Sequence, residues 1–256
     1  MELVDTHCHL HFDAYQNDVE QVIKGAAAAG VARMICVGTT LEDSKKAIEF
    51  AERRENIWAT VGVHPHDADS FLKLPDAGKN FREILDTSSI LAVGEIGLDY
   101  FKLYSSKEAQ QKALRLQIET GLPSGLPFIF HVRDAWEDFW QILSDYPAIK
   151  GVVHSFSAHP LQLEQVLSRG LYVGLNGIMT FTRDTGQLEA AKKAPRDRLL
   201  LETDAPFLAP APYRGQRCEP KHIKDVAEFL AELRGETFEA LAKSTSKNAE
   251  DLFRLR

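Results

Sequence analysis

Histidines and carboxylates recur along this chain at positions suited to metal chemistry. Asp5-Thr6-His7-Cys8-His9 lies near the start, followed by Gly62-Val63-His64-Pro65-His66 and Gly94-Glu95-Ile96-Gly97-Leu98-Asp99-Tyr100. Further on come His131-Val132-Arg133-Asp134, then His154, then Glu202-Thr203-Asp204. In His7-x-His9 an extended backbone turns both imidazoles to one side, because strand side chains alternate with a period of two. Two imidazoles begin a metal site, and Glu95, His131, His154 and Asp204 supply the rest. Four imidazoles and two carboxylates exceed what one tetrahedral zinc needs and suit two ions sharing a carboxylate. Nitrogen and oxygen donors favour Zn²⁺, Mn²⁺, Fe or Co, whereas Mg²⁺ alone would call for more carboxylate and water. Two neighbouring divalent ions can deprotonate water and stabilise the leaving oxygen of a phosphodiester.

Each of these residues has a plainer reading when taken singly. A lone histidine at a strand end is more often a hydrogen-bonded structural group, and a lone H-x-H arises often by chance. The combination is what carries weight, because the six residues close apolar runs that read as strands. Those runs are Leu3–His7, Arg33–Gly38, Ile57–Val63, Ile90–Glu95, Pro127–Val132, Gly151–His154, Leu171–Leu175 and Arg198–Asp204. Between them lie segments with helical apolar stripes: 19–29, 41–54, 107–120, 136–144, 161–169 and 186–193, with 220–233 and 236–253 closing the chain. Strand-helix alternation implies a parallel sheet covered by helices, and eight strands are the number a TIM (β/α)8 barrel requires. In that α/β fold the C-terminal strand ends converge on one mouth, so distant side chains meet there. An open doubly wound sheet is the competing architecture, but no G-x-G-x-x-G follows the first strand. The Pro-, Gly- and Arg-rich loop 207–219 would follow strand eight on the same face.

Length, charge and cysteine content narrow the function classes. A chain of 256 residues without repeats or an evident linker suits one domain, 1–256. A net charge of −7 argues against a broad basic surface for non-specific nucleic-acid binding, and implies a short-range grip on a few nucleotides. Three scattered cysteines fit a reducing compartment. The opening Met-Glu-Leu-Val-Asp-Thr-His lacks a basic region followed by an apolar stretch, so no signal peptide is expected. With no run long enough to span a bilayer, the expectation is a cytoplasmic monomer with no membrane partner.

Taken in order and combination, the motifs resemble those of the TatD-family deoxyribonucleases, within the amidohydrolase-like metal-dependent hydrolases. The resemblance rests on Asp5-Thr-His7-Cys-His9-Leu, Gly62-Val-His64-Pro-His66, Gly94-Glu95-Ile-Gly-Leu-Asp99-Tyr100, His131-Val-Arg133-Asp134-Ala, His154-Ser-Phe-Ser and Glu202-Thr-Asp204-Ala-Pro206. It runs over essentially the whole chain. It implies a binuclear centre in which His7, His9 and Asp204 hold one ion, His131 and His154 the other, and Glu95 bridges. It also implies cleavage of DNA phosphodiesters by 3′-to-5′ trimming, on single strands or 3′ ends, with Zn, Mg or Mn as the metal. Two departures stand out. Arg217-Cys218-Glu219-Pro220 replaces the family's Arg-Asn-Glu-Pro, and His154-Ser155-Phe156-Ser157-Ala158 its His-Cys-Phe-Ser/Thr-Gly. Neither removes an expected ligand.

A supporting cast completes the expectation. Asp204 and Glu95 are the catalytic pair, with Asp204 also accepting the proton of a metal-activated water. His64, His66, Arg133, Arg214 and Arg217 are candidate phosphate contacts, since the guanidinium fork matches phosphate oxygens; for the loop arginines simple solvation is an equal reading. Tyr100, Phe101 and Phe207 have faces on which a base could stack, although packing is the commoner role and is favoured for Phe207. Cys8, Trp136, Phe139 and Trp140 read as packing, and Asp5 as a group orienting a ligand imidazole. An ester, lactone or aminoacyl hydrolase would use the same metal chemistry. A non-catalytic binding protein would not need the complete ligand set.

Overall fold

A computed structural model describes residues 2–87 and 90–255, and the strands and helices form where periodicity demands them. The strands are β1 (Leu3–Cys8), β2 (Val31–Cys36), β3 (Ile57–Val61), β4 (Ile90–Asp99), β5 (Phe128–Arg133), β6 (Gly151–Val153), β7 (Tyr172–Leu175) and β8 (Leu199–Leu201). The helices are α1 (Val19–Ala28), α2 (Leu41–Glu52), α3 (Ala68–Leu72), α4 (Ala77–Leu85), α5 (Lys107–Gly121), α6 (Trp136–Leu143), α7 (Pro160–Ser168), α8 (Thr185–Lys193), α9 (Ile223–Arg234) and α10 (Phe238–Phe253). The eight strands lie in one sheet in chain order, the strand order of a (β/α)8 barrel. Among the described residues no helix is long and apolar enough to cross a membrane.

Contacts divide the chain into two compact units, one built from the stretches up to Ile35 and from His154 onward, the other from Cys36–Val153. In the first, β7 pairs with β8 in parallel, and Cys8 at the end of β1 bridges Ala205 in parallel beyond β8. Its helices start and stop on chemical signals. Asp184 caps α8, Thr237 caps α10, and Gly235 ends α9 in the left-handed conformation. In the second, β3, β4, β5 and β6 pair in parallel in that order. Thr40 and Ser106 cap α2 and α5. Phe128 and Phe130 of β5 are fully buried, and Phe130 meets Phe139 of α6 edge-on at 5.3 Å. Trp136 and Trp140 join the same cluster, the packing role expected for them.

Three features depart from the sequence expectation: β8, expected to run to Asp204, ends at Leu201, and the other two lie before and within β4. The segment between β3 and β4 carries α3 and α4, which were not foreseen: α3 has only five residues, and α4 starts from Asp76 in a left-handed conformation without a side-chain cap. Strand β4 was expected to stop at Glu95 and instead runs on to Asp99. Its pairing with β5 shifts register between Val93 and Ile96 and then resumes through Gly97 opposite His131. Gly97 permits this close approach. Its φ is 152°, and a Cβ there would fall 1.9 Å from the His131 carbonyl oxygen. Gly97→Ala is therefore expected to destabilise the protein by about 3 kcal/mol, read as a lowered urea midpoint. The control Gly125→Ala has a left-handed φ of 67° but open space around the new methyl and should cost only about 1 kcal/mol.

Candidate metal centre

In the first unit the chain beyond β8 is laid along the end of β1. The Asp204 N–H donates to the His7 carbonyl at 2.8 Å and the His9 N–H to the Ala205 carbonyl at 2.7 Å. Asp5 secures this junction. Completely buried, it accepts from the Thr203 N–H at 2.9 Å, the Thr203 hydroxyl at 2.6 Å and the His7 N–H at 3.3 Å. Asp5 thus orients backbone rather than an imidazole, a correction to the sequence expectation. Burial pushes its carboxyl well above the usual range, against the pull of those donors. Cys8 faces away from the histidines, with its thiol on the Ile35 carbonyl.

The side chains that meet here are His7, His9, His154, Glu202 and Asp204. Asp204 sits at φ 59°, a conformation unusual for a non-glycine residue. Its Oδ1 lies 3.3 Å from His9 Nε2 and 3.6 Å from His7 Nε2. Burial alone would raise its pKa. The hydrogen bond from His9 and the charges of His7, His9 and His154 reverse that and hold the carboxyl below its ordinary value. The His7 ring stacks on His154 at 4.0 Å, and His154 Nδ1 lies 3.5 Å from Glu202 Oε1. Glu202 is fixed in turn by the Ser155 N–H at 2.6 Å and the Asn176 amide at 3.2 Å. A Cβ on Gly174 would sit 2.3 Å from Glu202 Oε2, so a larger residue there would push the carboxylate aside.

The second unit assembles His64, His66, Glu95, Asp99 and His131. Glu95 Oε1 lies 2.9 Å from His131 Nδ1 and 3.6 Å from His64 Nε2, and its N–H donates to the Gly38 carbonyl. Both His131 Nε2 and His66 Nε2 lie 3.1 Å from Asp99 Oδ2. The other Asp99 oxygen accepts from the Lys102 N–H at 2.8 Å. Burial opposes ionisation of Asp99, but the His131 hydrogen bond, the Lys102 amide and the neighbouring imidazole charges win and hold it far below the usual carboxylate range. Asp99 therefore fixes the orientation of two imidazoles from behind.

The donor chemistry fits divalent metal. In the first unit one donor atom each from His7, His154 and Glu202 lies within 4.8 Å of the others, and in the second the same holds for His64, Glu95 and His131. Imidazole nitrogen with carboxylate oxygen is a donor set that borderline divalent ions take.

The remaining expected contacts are placed as follows. Arg133 is exposed, with its guanidinium 3.8 Å over the Phe101 ring. Arg214 lies 3.6 Å over Phe181. Arg217 is engaged by both oxygens of Asp18, at 2.9 and 2.6 Å, and by Glu219 at 3.2 Å. The Tyr100 hydroxyl donates to Asp138 at 2.7 Å and accepts from Gln111. Phe207 is half exposed beside His9, contrary to its expected packing role. Glu202 and Asp99 stand in the sequence motifs, but no role was expected of them. For Asp99 the signal was the strand period, since it stands four residues beyond Glu95 within β4; Glu202 lies past the end of β8, where that period does not apply.

The model of the family described as TatD related DNase matches residues 4–254. A Bacillus subtilis (strain 168) protein described as the uncharacterized metal-dependent hydrolase YabD is 38% identical over 255 residues, covering 99% of each chain. A Cronobacter sakazakii protein described as the 3′-5′ ssDNA/RNA exonuclease TatD is 36% identical over 247 residues, covering 93% of each. The crystal structure of YJJV, a TatD homolog from Escherichia coli K12, superposes with a TM-score of 0.91 at 32% identity over 99% of this chain and 98% of that one. Asp99→Asn should weaken metal binding by about 10- to 100-fold, the usual effect of losing a carboxylate behind a ligating imidazole; calorimetric titration of the metal-free protein with Zn²⁺ measures it.

Proposed function

This chain belongs to the TatD family of metal-dependent hydrolases, and from that premise we propose that it trims DNA from the 3′ end by hydrolysing phosphodiester bonds. The observation that carries the reading is the gathering of His7, His9, His154 and Asp204 in one unit and of Glu95 and His131 in the other, the imidazole and carboxylate donors that divalent ions take. Relatives from Cronobacter sakazakii and Erwinia billingiae, 36% and 34% identical, are described as 3′-5′ ssDNA/RNA exonucleases, which supports the choice of substrate.

In this proposal His7, His9 and Asp204 would hold one ion and His131 and His154 the other, with Glu95 completing the donor set. Two divalent ions in such a set supply Lewis acidity, which lowers the pKa of water and offsets charge on phosphoryl oxygens. The protein's own groups do the rest. Asp204, kept ionised by His9 and His7 despite its burial, accepts the proton of the attacking water. Asp99 and Glu202 hold His131 and His154 in place. Arg133, Arg214, His64 and His66 contact the phosphates, while Tyr100 and Arg217 are tied to Asp138 and Asp18.

Asp204→Asn should lower kcat about a thousandfold or more, in line with loss of a general base, with an unchanged thermal melt by circular dichroism. The reaction itself is tested by stripping metal, reloading with Mg²⁺, Mn²⁺ or Zn²⁺, and supplying single-stranded DNA labelled at its 5′ end. A ladder shortening from the 3′ end, absent from the His7→Ala/His9→Ala double variant, is the expected result. No cleavage by metal-loaded protein would overturn the nuclease reading.

A further inference from the structure

The loop leaving β4 exposes more apolar surface than any connecting segment needs. Phe101, Leu103 and Tyr104 are 59%, 56% and 69% exposed, three large apolar side chains within four residues. Contiguous exposed apolar surface marks a binding site more often than an accident. Poor anchoring does not account for it. The Lys102 N–H is held by Asp99, the Ser105 hydroxyl donates to the His66 carbonyl at 2.7 Å, and the buried Gln110 amide donates to the Ser105 and Asp99 carbonyls, both at 3.0 Å. The loop is thus fixed at both ends with its rings turned outward.

The rings also lie against the site and against cations. Tyr104 meets His66 edge-on with centroids 4.8 Å apart, and His66 lies 6.5 Å from His131 by the same measure. A continuous row of rings therefore leads from the Glu95–His131 cluster to the exposed loop. Arg133, on the same side of β5 as His131 by the strand period, covers one face of Phe101 at 3.8 Å. Lys102 lies 5.9 Å from the Tyr104 ring. Aromatic faces interleaved with cations match the combination by which proteins hold single-stranded nucleic acid.

We propose that Phe101 and Tyr104 form a stacking platform for unpaired bases beside the scissile phosphate, with Arg133 and Lys102 holding the flanking backbone. The platform deepens the nuclease reading and rests on it for the reaction it serves. It gives a physical cause to the single-strand substrate named for the relatives above, because the bases of a duplex are already stacked on one another. It also makes the enzyme tolerant of sequence, since every base offers a π face. Tyr100 takes no part, its hydroxyl being committed to Asp138 and Gln111.

The test compares KM for oligo(dT) with KM for an oligomer of the same length built from abasic tetrahydrofuran nucleotides. Wild-type protein should favour oligo(dT) by about tenfold or more, from the stacking energy of one or two bases. In Phe101→Ala/Tyr104→Ala that ratio should fall close to one through a rise in the oligo(dT) KM with little change in kcat. Phe101→Trp/Tyr104→Phe, which keeps both faces, should restore it. A double-alanine variant that keeps the wild-type ratio overturns the platform and leaves the nuclease reading standing. If metal-loaded wild-type protein cleaves neither oligomer, the nuclease reading fails, and fluorescence anisotropy of labelled oligo(dT) on the same protein decides the platform. About tenfold weaker binding by the double-alanine variant would support it, and equal binding would overturn it.

Discussion

The seam between the first and last strands is the constraint on which the first cluster depends. Asp5, buried completely, spends its oxygens on the backbone and hydroxyl of Thr203 and on the His7 N–H. A buried carboxyl is costly unless hydrogen-bonded, so the Thr203 turn cannot move away without stranding it. That turn carries Asp204 into a left-handed conformation with its carboxylate beside His7 and His9. Such a backbone state costs on the order of 1–3 kcal/mol and persists only where the surroundings impose it. Here the imposing contacts are the two main-chain hydrogen bonds joining the ends of β1 and β8.

The second cluster solves the same problem differently. Glu95 stands within a strand rather than at its end, beside two glycines that let neighbouring backbones come close. A Cβ on Gly62 would fall 2.4 Å from the Gly94 carbonyl carbon, and one on Gly97 only 1.9 Å from the His131 carbonyl oxygen. Small residues thus hold β3, β4 and β5 at the separations that bring His64, Glu95 and His131 together. Asp99, farther along the same strand, then fixes the outward imidazole nitrogens. In both clusters a buried acid that is not among the expected ligands orients a histidine that is. Rigid positioning of this kind limits the reorganisation needed when metal or substrate arrives.

The fold was largely legible because its signals are local. Apolar runs bounded by turn residues marked all eight strands, and stripes such as Ile48 and Ala51 marked the helices that cover them. The short helix α3 carries too few residues for a periodic signal, whereas α4 carries an apolar stripe of Phe81, Ile84 and Leu85 but starts without a side-chain cap to mark it. His7, His9, His154 and Asp204 meet in one cluster, and Glu95 and His131 in another, and residue type read together with position in or just beyond a strand was enough to pick them out. Roles that depend on distant partners were not legible. Arg217 is bound by Asp18, 199 positions away in sequence, and no local pattern announces that pair. The exposure of Phe207 depends equally on how the loop after β8 is folded back.

The most direct measurement of the central claim, a two-metal site built from strand ends, is anomalous scattering from crystals of Mn²⁺-loaded protein. Two peaks about 3.5–4 Å apart, one against His7, His9 and Asp204 and the other against His131 and His154 with Glu95 touching both, are the predicted result. No peak at these side chains, or a single ion bound elsewhere, would contradict it.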